Sequence, residues 1–291
     1  MNELLSSVVS VAFHGAAYGM ILYVISVGLS VTMGLMGFIN LAHGVFAMAG
    51  GYLFATALGR FGVPFGFALL FAFLVVALFS VILEKLLYSR LYGASELAQV
   101  LFTIGLIFMS IAVARAIYGT LAAPVFLPSY LKGQVHMAGR DFPTYRVFLI
   151  AFSSLLIFLL WFGVERTRWG AMVRAAVDNR AMAQSVGINT PRLFTLTFAL
   201  GSGLAGLGGA LGADILPVDW TYPSEHLAYF LIVVAVGGLG SLRGPFVAAL
   251  LIGLADTACK YWVPQFGAFL VYAATIAVLL WRPMGLFGVR R

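Results

Sequence analysis

Long apolar runs, separated by short polar or glycine-rich breaks, dominate the chain. They fall near 8–33, 40–59, 63–87, 96–118, 146–164, 193–213, 226–240, 245–262 and 266–282. A bilayer core about 30 Å thick is crossed by about 20 apolar helical residues, so most of these runs have the length of a membrane span. The run at 226–240 is short and the one starting at 40 is interrupted by glycine, which puts the expected number of crossings at eight to ten. The pattern predicts an all-α fold: a polytopic transmembrane helical bundle with glycine-broken helices, forming one membrane domain over residues 1–291.

The longest polar interruption in the second half, 165–192 (ERTRWGAMVRAAVDNRAMAQSVGINTPR), carries helical punctuation of its own. Good helix formers fill Ala171–Val177, and Asp178 or Asn179 is placed to cap a second short helix, Arg180–Ser185. Gly187 supplies the left-handed residue that ends a helix, and Thr190 followed by Pro191 reads as the N-cap and first-turn proline of the next. Arg166, Arg168, Arg174, Arg180 and Arg192 stand here against only Glu165 and Asp178. Such a stretch is an ordered basic platform, built for something to press against it. The other long connection, 119–145, contains Pro124, Pro128, Gly133, Gly139 and Pro143 and is expected to be a short surface helix or an irregular connector.

Two glycine-rich breaks interrupt apolar runs. In Met33–Tyr52 (MGLMGFINLAHGVFAMAGGY) Gly34, Gly37, Gly44, Gly50 and Gly51 accompany Asn40 and His43, three residues apart on one helical face. Broken backbone at membrane depth is tolerated where protein covers it or a wet cavity receives it. The break is therefore either a discontinuous helix beside a polar path or a tight hairpin, with Asn40 as a helix cap and His43 near the interface. The second break, Val236–Phe246 (VGGLGSLRGPF), faintly echoes the first. Beyond it Asp256 lies about a dozen residues into its run, near mid-membrane, where an acid is costly and by default functional. The competing reading pairs it with Lys260 at i, i+4. At Gly201 the letters GSGLAG imitate a dinucleotide fingerprint, but no strand precedes them. The row Gly201, Ala205, Gly209, Ala213 reads instead as a small-residue stripe for close helix packing in lipid.

Composition removes the alternatives to a membrane protein. With 62% hydrophobic residues, 9% charged and a mean hydropathy of +1.03, the chain lies outside the soluble range. The net charge of +7 is not arranged as a basic, aromatic-interleaved nucleic-acid surface. One cysteine, Cys259, excludes an internal disulfide and a cysteine-rich metal site, and His43 has no partners for a metal. The start, MNELLSSVV, lacks the basic region of a cleaved signal peptide and is expected to stay in the mature chain. Basic residues set the expected orientation. With 165–192 cytoplasmic, alternation places Lys85, Arg90, Arg243, Arg282, Arg290 and Arg291 on the same side, leaving Arg60, Arg115, Lys132, Arg140, Arg146 and Lys260 outside. The N-terminus is then external and the C-terminus cytoplasmic.

No Walker A, HExxH, GxSxG or clustered Cys and His appears, so uphill movement of a solute requires an ion gradient or another subunit. Asp256 is nearly alone as an intramembrane acid, which favours a partner as the energy source. The stretch RWGAMVRAAVDNRAMAQSVGINTPRLF resembles the cytoplasmic coupling loop of ABC importer permeases. GFINLAHGVFAMAGGY and AVGGLGSLRGPFVAALLIGLAD resemble the branched-chain amino-acid (LivH-type) group among them, and the likeness covers roughly 20 to 288. The resemblance implies a single transmembrane permease domain in the plasma (inner) membrane of a bacterium. It implies a second homologous permease subunit, two cytoplasmic ABC ATPases and an external solute-binding protein as partners, with ATP bound on those subunits and no cofactor on this chain. It places ATPase coupling at Arg174, Ala175, Ala176, Asp178, Asn179, Arg180, Ala183, Gly187, Ile188 and Asn189. Arg174 stands where many importers have an acid. Asn40, His43, Gly44, Asp256 and Thr257 become the candidate translocation pathway. The expected solute is a branched-chain amino acid, with urea or short amides as the alternative within the group. An ion-gradient-driven carrier or channel, or a structural membrane subunit, is the alternative outside it.

Overall fold

The computed structural model describes residues 2–137 and 140–288. Gly139, Arg290 and Arg291, named above, lie outside the described residues. The helices are α1 (Asn2–Met36), α2 (His43–Gly59), α3 (Phe65–Leu86), α4 (Glu96–Tyr118), α5 (Thr144–Arg166), α6 (Arg168–Asp178), α7 (Arg180–Ser185), α8 (Thr190–Gly212), α9 (Tyr222–Gly237), α10 (Arg243–Trp262) and α11 (Gly267–Trp281). All but α6 and α7 coincide with the predicted apolar runs to within a few residues. Five of them, α1, α3, α4, α5 and α8, are long and apolar enough to cross a membrane unaided. Helices α2, α9 and α11 have 17, 16 and 15 residues.

Burial separates a centre from a rim. The apolar windows of α1 and α8 are 83% and 78% buried within the chain, against 11% for α5. Helix α8 packs on α1, α2 and α3, and α1 packs on α10. Glycine makes this possible. A Cβ on Gly201 would meet the backbone of Gly28, one on Gly50 that of Gly206, and one on Gly209 that of Ala47. The predicted stripe is therefore buried, but it splits between two neighbours, Gly201 facing α1 and Gly209 facing α2. Gly203 and Gly206 receive Phe73 and Val76 of α3, so α8 is stripped of side chains on several sides. The GSGLAG letters thus sit in mid-helix, packed against protein. At the rim, Phe67, Leu74 and Leu78 of α3, Phe108 of α4, Phe158 of α5 and Leu280 of α11 point outward, as lipid-facing side chains do.

Helix ends collect on two faces. On one face a two-stranded hairpin, β1 (Gln134–Met137) with β2 (Arg140–Pro143), lies near the start of α1, where Arg140 bonds Ser10. The Ala123 amide donates to the Val218 carbonyl there, and Ser7 meets Tyr261 at the end of α10. The connector 119–145 was expected to be a short helix or irregular. It is irregular over 119–128, makes a 3-10 turn at Ser129–Leu131, and then pairs Gln134–Met137 antiparallel with Arg140–Pro143, a hairpin the sequence reading did not expect. On the opposite face lie the end of α1, helices α6 and α7, and the second break. There the Gly240 amide donates to the Ser30 carbonyl, and Arg243 reaches Glu165 at 2.6 Å. A Cβ on Gly34 would strike Gly240, so the two glycine breaks meet.

Candidate functional site

The platform forms because each helix end is capped by its own neighbour. Thr167 Oγ1 accepts the Gly170 amide at 3.2 Å and opens α6. Asn179 Oδ1 accepts the Met182 amide at 3.0 Å and opens α7. Gly187 has φ of +88° and ends it. The next cap is Asn189, whose Oδ1 accepts the Arg192 amide at 3.1 Å. This corrects the expectation that Thr190 caps α8. Thr190 is buried instead and takes a hydrogen bond from Gln184, since its hydroxyl turns inward while the free Asn189 carboxamide reaches the first turn.

The ten expected coupling residues do not form one surface. Ala176 and Ala183 are buried and press on the bundle together with Val173. Arg174, Ala175, Asp178, Asn179, Arg180, Gly187 and Asn189 are exposed, and Ile188 is half-buried. Arg174 donates to the Val164 carbonyl at the end of α5. Arg180 lies 4.6 Å from the Phe194 ring on α8. Between these charges stand Met172, Met182 and Val186, the last two 66% and 71% exposed. Sequence reasoning passed over them, although exposed apolar side chains on a short amphipathic helix are the expected sign of a docking surface. Behind α6 a cavity of about 370 Å³ separates Arg174 and Asp178 from Gly240 and Ser241 of the second break.

The first break separates α1 from α2 by the non-helical residues 37–42. After Met36 the chain leaves helical geometry, with Gly37 at φ of +62° and Phe38, Asn40 and Ala42 buried. Asn40 does not cap α2, and it lies outside any helix, so it shares no helical face with His43. Its Oδ1 accepts the Tyr88 hydroxyl at 3.1 Å, while its Nδ2 has no partner among the described residues. His43 is not near an interface. Its Nε2 bonds the Ile25 carbonyl at 2.9 Å, eleven residues before the end of α1, or about 16 Å along that helix. Helix α2 therefore begins deep in the protein. A Cβ on Gly44 would touch Pro223, so the first turns of α2 and α9 meet there.

Asp256 lies in a second group. Its Oδ2 is 2.7 Å from Lys260 Nζ, and its Oδ1 accepts the Tyr229 hydroxyl at 2.9 Å. The i, i+4 reading thus describes the geometry. The residue is six positions from Trp262, about 9 Å from that end of α10, and so lies off mid-helix. Thr257 beside it is half-buried. The structure does not join Asn40, His43 and Gly44 to Asp256 and Thr257 directly. Helix α9 lies between, touching the first group at Pro223 and the second at Tyr229.

One buried acid went unread. Glu84, 3% exposed, accepts the Tyr92 hydroxyl through Oε1 and the Thr195 hydroxyl through Oε2 at 2.8 Å. Its signal was an acid in the last turn of an apolar run, masked by the neighbouring Lys85.

The family described as "Branched-chain amino acid transport system / permease component" matches residues 11–279. The chain is 27% identical to the high-affinity branched-chain amino acid transport system permease protein BraD of Pseudomonas aeruginosa, over 94% of each. It is likewise 27% identical to the permease protein LivH of Escherichia coli K12, over 95% of this chain and 94% of that one. The permease protein LivM of Salmonella typhimurium is 26% identical over 95% of this chain and 70% of its own. No solved structure matches.

Proposed function

We infer the function from one premise: the chain belongs to the family of branched-chain amino acid transport system permease components. It is a membrane-spanning permease subunit of an ABC importer, a transport subunit and not an enzyme. The solute best supported is a branched-chain amino acid, since the relatives named above are described as transporting that class. The importer reading also fits the surroundings of Asp256. Asp256 is already engaged by Lys260 and Tyr229, which leaves it poorly placed as the free ion-coupling group of a gradient-driven carrier.

The partners follow from the platform. A capped, outward-facing element with Met182 and Val186 exposed beside Arg180 suits a protein surface, and two cytoplasmic ABC ATPases are the partners assigned to it. ATP is theirs, and this chain holds no cofactor. A second homologous permease completes the membrane unit, a reading supported by similarity to both LivH and LivM proteins. An external binding protein meets the hairpin face. The location is the bacterial plasma membrane, with the N-terminus outside and the C-terminus in the cytoplasm.

The observation that carries this reading is the platform's two-sided build, alanines inward and charge with apolar side chains outward. Purification from native membranes tests it. ATPase subunits should accompany the chain, and the Met182→Glu, Val186→Glu double variant should insert normally but lose them. Retention of the ATPases by that variant, or their absence from the wild-type preparation, would refute the assignment.

A further inference from the structure

A continuous set of contacts leads from the platform to the break before α2. Arg180 of α7 covers the Phe194 ring, and Phe194 meets Tyr92 at 5.7 Å between centroids. Tyr92 and Thr195 both donate to the Glu84 carboxylate. The same corner, where α3 turns into α4, holds the break from two sides. Tyr88 donates to Asn40, and the Gln99 side chain accepts the Ile39 amide at 3.2 Å while its own amide donates to the Leu91 and Ala94 carbonyls. Phe38 packs between Tyr88 and Tyr92. The break then leads into His43, deep on α1.

We propose that Glu84 is a positioning residue of the transport cycle, its carboxylate fastening the second turn of α8, directly behind the platform, to the corner that holds Ile39 and Asn40. Among the described residues no lysine or arginine forms an ion pair with it. Its two oxygens are held by hydroxyls from opposite sides, Tyr92 in the turn that follows α3 and Thr195 on α8, so no one-sided contact can replace it. Here the carboxylate makes the platform and the break move as one body, because packed elements shift between discrete arrangements and do not deform continuously. The proposal rests on the coupling reading of the platform given above.

The test uses the full transporter in proteoliposomes, with its ATPases and binding protein, and the purified chain in detergent. Glu84→Ala is expected to lower leucine moved per ATP about tenfold, within the usual range of coupling between sites, while the ATPases still bind. Glu84→Gln, which keeps the shape and one acceptor oxygen, should recover most of the ratio. Thr195→Val and Tyr92→Phe should fall part of the way. Hydrogen exchange of the 38–42 amides should rise several-fold in Glu84→Ala, with α10 unchanged. A wild-type leucine-to-ATP ratio, or unchanged exchange at 38–42, overturns the proposal. If Glu84→Ala does not yield folded protein, Thr195→Val and Tyr92→Phe decide by the same two readouts. A wild-type chain that binds no ATPase refutes the importer reading and the transport role with it. Unchanged exchange in a chain that does bind them refutes the role of Glu84 alone.

Discussion

At Gly187 the backbone is left-handed, φ of +88°, yet an added Cβ would find nothing within 4 Å. The position is limited by conformation and not by space. A valine there costs about 1–2 kcal/mol of backbone strain, and more for being β-branched, whereas asparagine visits the same region with little penalty. The energy falls on the end of α7 and leaves the membrane bundle untouched. Gly187→Val should therefore insert and keep its thermal stability, but move less solute per ATP hydrolysed, while Gly187→Asn behaves as wild type. Proteoliposome assays with coupled ATP measurement decide it, and equal coupling in both variants would reduce 165–192 to a connector. Ala176 and Ala183 cannot serve the same test. Both are buried, so a bulky charge there attacks the fold and leaves the docking surface unprobed.

Glycine acts at the level of the helix as well, by setting how closely α8 approaches its neighbours. A methyl on Gly209 would enter the Ala47 carbonyl, and α2 must retreat to admit it. Overpacking of this kind costs about 1–3 kcal/mol, at the upper end where backbone is the obstacle. Gly209→Ala should lower the melting temperature of the purified chain. Gly66→Ala on α3, where nothing lies within 4 Å, should be neutral or stabilising by up to about 1 kcal/mol. Comparable melting of the two would remove the close-approach argument. These contrasts also explain what was legible beforehand. Apolar run length placed nine helices, and capping chemistry placed α6 and α7 to within a few residues, because both are local properties. The depth of His43 and the bonding of Glu84 depend on partners farther along the chain, whereas the hairpin after α4 and the inward turn of Thr190 use partners within ten residues that no periodicity marks. The Glu84 carboxylate is bonded by Thr195, 111 residues away, and no local pattern announces that.

For the whole molecule, the division of helix ends into two faces turns charge into orientation. Arg180 and Arg243 belong to the platform face, whereas Lys132 and Arg140 belong to the hairpin face. The richer basic complement on the platform side predicts that this side is cytoplasmic. In a Cys259→Ala background, a cysteine at 132 should react with an impermeant thiol reagent on intact cells and one at 180 should not; labelling at 180 would invert the assignment. Selectivity is the last consequence of the same arrangement. A zwitterion stripped of water needs opposite charges or several dipoles to replace its hydration. The pathway candidates offer little that is free. Asp256 is engaged by Lys260 and Tyr229, His43 by the Ile25 carbonyl and Asn40 by Tyr88, with the Asn40 Nδ2 buried and unpartnered among the described residues. Such a path passes a solute without holding it, so recognition falls to the external binding protein. Isothermal titration of the purified chain with leucine, and with urea as the comparison, should show no saturable binding at micromolar concentrations. A site of micromolar affinity or tighter, roughly −8 kcal/mol, in the absence of any binding protein would place recognition in the membrane and restore the carrier reading.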